Sequence, residues 1–138
     1  MPKAQAPTPS GLLAAFADPT RLRILNLLRS GEQCVGDLVQ LLQVPQSSAS
    51  RHLAHLRSAG LVDTRKAGLW VYYALAKPVS PFHARLVDCL SCCFQEVPEL
   101  QSDLERAEEL RAVGGCCPQH PEGRAKAKRR QSATRCCP

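Results

Sequence analysis

At 138 residues the chain has enough length for one domain with one core, and hardly for two. Eighteen Lys and Arg against twelve Asp and Glu leave a net charge of +6, which favours an anionic partner. No apolar run approaches the ~20 residues that span a bilayer, and the start MPKAQAPTPS has no apolar signal core, so no membrane association is expected and the chain reads as cytoplasmic.

The charge is unevenly placed. Residues 1–75 carry eight basic and four acidic side chains, residues 76–115 four and seven, and residues 116–138 six and one. Eight cysteines are unusual for a reducing compartment, where clustered thiols more often bind metal or sense redox state than form a disulfide framework. Five of the eight lie between Cys89 and Cys117.

In chain order, residues 1–10 contain Pro and Ala without periodicity and are expected to form a disordered lead-in to a domain over 11–115. Leu12, Leu13 and Phe16 mark a short apolar helix ending near Ala17, too short to bury its stripe alone. Asp18 followed by Pro19 is a helix start, with the carboxylate as N-cap and the proline at the first helical position. Leu22, Ile24, Leu25 and Leu28 form its buried face and Gly31 its stop; Arg21, Arg23 and Arg29 are expected to be solvated. The next helix carries Val35, Leu38, Val39, Leu41 and Leu42, with Gly36 unfavourable by ~1 kcal/mol relative to Ala.

The stretch QSSASRHLAHLRSAGLV then places Ala49, Leu53 and Leu56 on one apolar stripe. Its other faces carry Ser47, Ser48, Ser50, Arg51, His52 and Arg57, with no acidic residue among them. Hydroxyls, an amide and arginines can donate to phosphate oxygens and base edges without a repelling carboxylate. Two short helices joined by a tight turn, the second polar and basic, read as a helix-turn-helix with the second helix as the reading helix. Pro45 is expected at its first helical position.

After Gly60 the period changes to two. Residues 61–66 and 69–74 alternate around a turn at Ala67-Gly68, which predicts a two-stranded hairpin with Arg65 and Lys66 near its tip. A lone hairpin is marginal in water, so Trp70 or Tyr72 is expected to pack on the helices. Directly after a reading helix, the cations of such a tip would approach phosphate or the minor groove as a wing. The fold class is therefore mainly α with a two-stranded β-hairpin wing, a winged helix-turn-helix.

Residues 80–94 form a helix with Phe82, Leu86, Leu90 and Phe94 at spacings of four, and with Cys89, Cys92 and Cys93. Two of these thiols could simply fill the seam as small hydrophobes. A last helix starts at Pro98, carries Leu100, Leu104, Ala107 and Leu110 as its stripe, and stops at Gly114-Gly115. Cys116 and Cys117 follow directly. Two adjacent thiolates suit a soft, thiophilic ion, and a third would complete a trigonal site; zinc would normally want a fourth ligand, which favours trivalent arsenic or antimony. If the last two helices form an antiparallel hairpin, Cys116 and Cys117 return toward the start of the 80–94 helix, about 20 Å from Cys93. An intersubunit site is then expected, with the third thiolate from Cys89, Cys92 or Cys93 of a partner chain. Residues 116–138 otherwise read as a basic disordered tail that ends in a second CCP, with RAKAKRR adding salt-sensitive DNA affinity or merely solubility.

The run AFADPTRLRILNLL, Leu38, SSASRHLAHLRSAGLV and LWVYYAL, over residues 13–75, resembles the ArsR/SmtB family of winged-helix metalloregulatory repressors. The resemblance implies a homodimer formed by the first helix and the 80–94 helix, bound to an inverted repeat in double-stranded operator DNA. It carries Gln46, Ser47, Ser48, Ser50 and Arg51, and more weakly His52 and His55, over as DNA contacts. The family usually has Ser where Pro45 stands. Its founding arsenic-responsive members read ELCVCDLC where this chain reads EQCVGDLV, so only Cys34 remains there and sensing is not expected at that position. The family's zinc pattern on the 80–94 helix is also missing, which leaves His83 as a partly buried neutral side chain.

The function expected is a DNA-binding repressor that releases its operator on binding trivalent arsenic or antimony through Cys116, Cys117 and one of Cys89, Cys92 and Cys93, with no organic cofactor. A thiol redox switch on the same fold is the rival reading. A C-x-x-C oxidoreductase belongs to another class, and no Walker, Rossmann or zinc-hydrolase string supports an enzyme.

Overall fold

The computed structural model describes residues 7–92 and 94–115. These form α1 (Pro9–Phe16), α2 (Pro19–Arg29), β1 (Gln33–Cys34), α3 (Val35–Leu42), α4 (Gln46–Ser58), β2 (Val62–Ala67), β3 (Trp70–Leu75), α5 (Pro81–Cys92) and α6 (Pro98–Ala112). The tail cysteines, the basic run after them and Cys93 lie outside the described residues.

Local chemistry sets most boundaries. The Asp18 carboxylate accepts from the Arg21 N–H at 3.0 Å, with Pro19 behind it at the first helical position, as expected of an N-cap. Gly31 ends α2 at φ 135°, a conformation that costs a side chain-bearing residue far more. At α4 the proline sits one position earlier than expected. Pro45 is extended (φ −59°, ψ 147°) and is the N-cap itself, and its carbonyl accepts from the Ser48 and Ala49 N–H groups, both at 3.0 Å. It makes no side-chain cap, so the first turn of α4 keeps backbone donors unclaimed by a capping side chain.

The core gathers Leu12 and Ala15 of α1, Ile24, Leu25, Leu27 and Leu28 of α2, Leu38, Leu41 and Leu42 of α3, and Leu53 and Leu56 of α4. Leu61 and Val62 of the hairpin, Leu90 of α5 and Ala107 of α6 close it. On α5 the expected stripe holds at Leu90, which is buried, and at Leu86, which with Phe94 just after the helix packs half-buried on the core, while Phe82 remains 39% exposed and His83 is buried beside it.

The expected two-stranded hairpin of β2 and β3 forms the wing, and a short third strand extends it into a three-stranded sheet. In the order β1-β3-β2, the two-residue β1 pairs antiparallel with β3, Gln33 opposite Tyr73 and Cys34 opposite Tyr72. Hairpin register runs from Val62 opposite Leu75 to Ala67 opposite Trp70, around a two-residue turn whose first position, Gly68, has φ 62°. Of the two candidate anchors Tyr72 is buried, against Cys34 and Ala67, and Trp70 stays partly exposed.

Helix α6 does not pair with α5 as an antiparallel hairpin. It packs on α2 and α3. Asp103, on its buried face, accepts from Arg23 Nε and Nη2 at 2.7 and 2.9 Å and also pairs with Arg106. Asn26 Nδ2 donates to the Leu100 carbonyl at 3.0 Å, and Arg111 clamps Ser30 through its carbonyl and hydroxyl oxygens at 2.9 and 3.0 Å. The end of α6 is therefore carried to the α2–β1 junction, away from the start of α5.

Candidate nucleic-acid interface

Helix α4 presents the polar face expected of it. Ala49, Leu53 and Leu56 are buried against α2 and α3, which leaves Gln46, Ser47, Ser50, Arg51, His55 and Arg57 exposed and Ser48 half-buried. No acidic side chain stands among residues 46–58, so phosphate oxygens meet no opposing carboxylate from this helix. His52 is turned differently from its neighbours. Its Nδ1 lies 3.5 Å from Arg21 Nη1 and 3.8 Å from the Asp18 carboxylate, which holds the ring toward α2.

Helix α3 braces α4 through a short turn at Gln43, the one non-glycine residue with positive φ (55°) among the described residues. Its N-terminus is capped by Cys34, whose Sγ accepts from the Asp37 N–H at 3.4 Å. On the wing, Lys66 is exposed, whereas Arg65 is engaged: its Nε donates to Glu32 at 3.1 Å, and its guanidinium lies 4.7 Å above the Tyr72 ring. The turn itself exposes Leu69 at 98%.

Cys89 and Cys92 are half-buried on α5, which packs on α1 and α2. Cys93, Cys116 and Cys117 fall outside the described residues, among which no three of His, Cys, Asp and Glu converge on a metal-sized site. His83 is fully buried rather than partly so, and burial pushes its imidazole below the ordinary range, consistent with the neutral form. Its Nδ1 accepts from the Val79 N–H at 3.4 Å.

Sequence reasoning missed the α2 arginines. Arg21 donates to the carbonyls of Ala14 and Ala15, both at 3.0 Å, and Arg23 grips Asp103, so neither is solvated. The signal for Arg23 is an acidic residue on the inner face of α6, eighty positions away, which periodicity of apolar residues alone does not weigh.

A brace helix, a tight turn, an acid-free reading helix and an adjoining β-wing together define a winged helix-turn-helix DNA-binding protein. Residues 18–64 match the family described as "Bacterial regulatory protein, arsR family". The chain is 44% identical over 89 residues to the arsenical resistance operon repressor of Escherichia coli, covering 64% of this chain and 76% of that one. It is similar in structure to HlyU of Vibrio cholerae, at 39% identity and a TM-score of 0.55 over 62% of this chain and 89% of that one. It is also similar to a homodimeric winged helix-turn-helix domain from Mycobacterium bovis, at 31% identity and a TM-score of 0.53 over 64% and 80% of the two chains. The chain belongs to the ArsR family and is a DNA-binding transcriptional regulator, not an enzyme.

Proposed function

We propose that this protein is a cytoplasmic, homodimeric repressor that leaves its operator when trivalent arsenic or antimony binds its cysteine thiolates. The observation that carries the DNA half is the acid-free exposed face of α4, with Gln46, Ser47, Ser48, Ser50 and Arg51 available to base edges and phosphates. Lys66 supplies a phosphate contact from the wing, and Arg65 and His52 join only if they leave Glu32 and Asp18. Dimerisation is supported by apolar side chains on α1, on α5 and just before it that find no cover among the described residues, Leu13 at 51% exposed, Phe82 and Val79. A two-fold dimer would present two copies of α4 about 34 Å apart to an inverted repeat.

The inducer half rests on the chemistry of the donor set. Cys116-Cys117 offers two adjacent thiolates, and a soft trivalent ion takes three sulfurs where zinc would take four ligands. The relative from Escherichia coli is named for arsenical resistance, which favours arsenic over other thiophilic ions. Release requires only that the ion prefer the DNA-incompetent dimer; a coupling of ~1–3 kcal/mol weakens DNA binding by roughly 5- to 150-fold.

The test replaces Cys116 and Cys117 by Ser in the full chain and follows operator binding with and without arsenite, in excess reductant. The variant is expected to bind DNA as the parent does and to ignore arsenite. An unchanged arsenite response would remove this pair from the sensor. Release by an oxidant, reversed by reductant and indifferent to arsenite, would replace the metalloid with a redox switch.

A further inference from the structure

The sequence points to cations as the DNA contacts of the wing, but the fold carries an apolar pair ahead of them. Arg65 is held back, with its Nε on Glu32 at 3.1 Å and its guanidinium over the Tyr72 ring. Beyond it the chain turns at Gly68 and Leu69, where Leu69 is 98% exposed and Trp70 beside it partly exposed. The turn does not ask for leucine. Gly68 has φ 62° and no other residue of the hairpin has positive φ, which makes this a type II′ turn, with glycine needed at its first central position and only an ordinary negative φ at the second. Packing does not ask for it either: even a Cβ added at Gly68 would meet nothing within 4 Å.

A single exposed leucine is ordinary on a protein surface; what distinguishes this one is where the wing carries it. Strand β2 begins at Val62, directly after α4 ends at Ser58, and packs on that helix, so the hairpin projects from the end of the reading helix. At about 3.3 Å per residue its six-residue strands reach about 20 Å. Half a turn of duplex, the step from the major groove that holds a reading helix to the neighbouring minor groove, is about 17 Å. Residues 64–76 carry no acidic side chain and Lys66 is exposed three positions before Leu69, so the tip meets the phosphates that flank the groove without repulsion. The support is braced as well: β3 is paired on both edges, and Arg65 ties β2 to Glu32. The other apolar side chains left uncovered, Leu13, Val79 and Phe82, stand on α1 and at α5, on different elements from the wing.

Building on the operator-binding reading above, we propose that Leu69 is an apolar wedge that enters the minor groove of the operator half a turn from α4 and opens a base step there. Trp70 lies beside it against the sugar wall of the groove, and Lys66 meets the adjoining phosphate. Removing the leucine side chain from water offsets part of the cost of unstacking, and the opened step bends the duplex toward the major groove, where α4 sits. The wedge adds a selectivity that needs no hydrogen bond to a base. Pyrimidine–purine steps such as TA unstack most readily, so an operator with such a step under the wing tip is preferred at a position that α4 never touches.

The experiment uses the reduced full-length chain and a fragment of the promoter of its own gene with a dye at each end. Anisotropy reads affinity, energy transfer between the ends reads bending, and acrylamide quenching of Trp70, the single tryptophan of the chain, reads shielding of the tip. The parent is expected to bring the ends together and to protect Trp70 on binding. Because Leu69 is almost wholly exposed, Leu69→Ala is expected to keep the urea midpoint of the parent, yet to bind about fivefold more weakly and to bend the fragment less. Leu69→Met is expected to retain both affinity and bend. Leu69→Lys is expected to recover affinity through phosphate, to steepen the slope of log Kd against log salt by about one, and to leave the bend unrecovered. A Leu69→Ala chain that binds and bends as the parent does overturns the proposal. So does a Leu69→Lys chain that bends the fragment fully, because the tip would then act by charge alone. Failure of the parent to bind any promoter fragment sinks the operator reading and this inference with it, a different result from binding that is indifferent to residue 69.

Discussion

Helices α2 and α4 are both amphipathic and both carry arginines, yet they use them in opposite ways. Every arginine of α2 is drawn inward: Arg21 onto the carbonyls that end α1, Arg23 onto Asp103, and Arg29 into surroundings that lower its pKa by burial. On α4, Arg51 and Arg57 are exposed, with no carboxylate on their helix to claim them. What separates a scaffold arginine from a DNA-binding one is therefore the acceptor within reach, not the arginine or the helix that carries it.

The sharpest way to break that contrast is to remove an acceptor. Asp103→Ala leaves Arg23 and Arg106 without their shared buried carboxylate and is expected to lower stability by about 3 kcal/mol, toward the lower end for a broken buried pair because Arg23 keeps some access to water. Denaturant midpoints would register it, while operator affinity per folded molecule stays unchanged; a loss below about 1 kcal/mol would mean the pair is not what docks α6. On the other helix, Arg51→Ala is expected to weaken operator binding by about 1–3 kcal/mol, roughly 5- to 150-fold in Kd, with stability moved by less than about 0.5 kcal/mol. Equal loss of stability and binding would erase the distinction between the two helices.

Lys66→Ala should act more gently, lowering the slope of log Kd against log salt by about one without changing sequence preference. The smallest effect expected is a pH dependence from His83. Burial holds its folded pKa below the ordinary value of about 6.5, so as pH falls the unfolded chain takes up that proton first. Its contribution is complete above pH ~6.5 and is lost progressively below it. His83→Gln should flatten urea midpoints between pH 7.5 and 5.5 relative to the parent, and an unaltered pH profile would place the buried titration elsewhere.

Much of this arrangement was legible in the sequence where structure follows local chemistry. Asp18-Pro19, the 49/53/56 stripe and the change to period two after Gly60 announce α2, α4 and the hairpin, because caps and periodicity act over a few residues. Non-local docking was not. The two-residue β1 has no length over which to show alternation, so the third strand and the burial of Cys34 on Tyr72 were invisible. The docking of α6 was misread because its buried row includes Asp103, a charge that reads as solvent-facing until its partner on α2 is known. The end of α6 accordingly lies against α3, where a Cβ on Gly115 would stand 3.0 Å from the Asp37 carboxylate, rather than beside the start of α5.

The most direct test of the account is arsenite titrated into the reduced, full-length protein bound to a fluorescent fragment of the promoter of its own gene, followed by anisotropy with zinc and cadmium as controls. The account predicts tight binding, then release by arsenite near one ion per chain and little response to zinc. Binding that survives saturating arsenite would contradict metalloid sensing, and absence of binding to any promoter fragment would contradict the reading helix on which the rest depends.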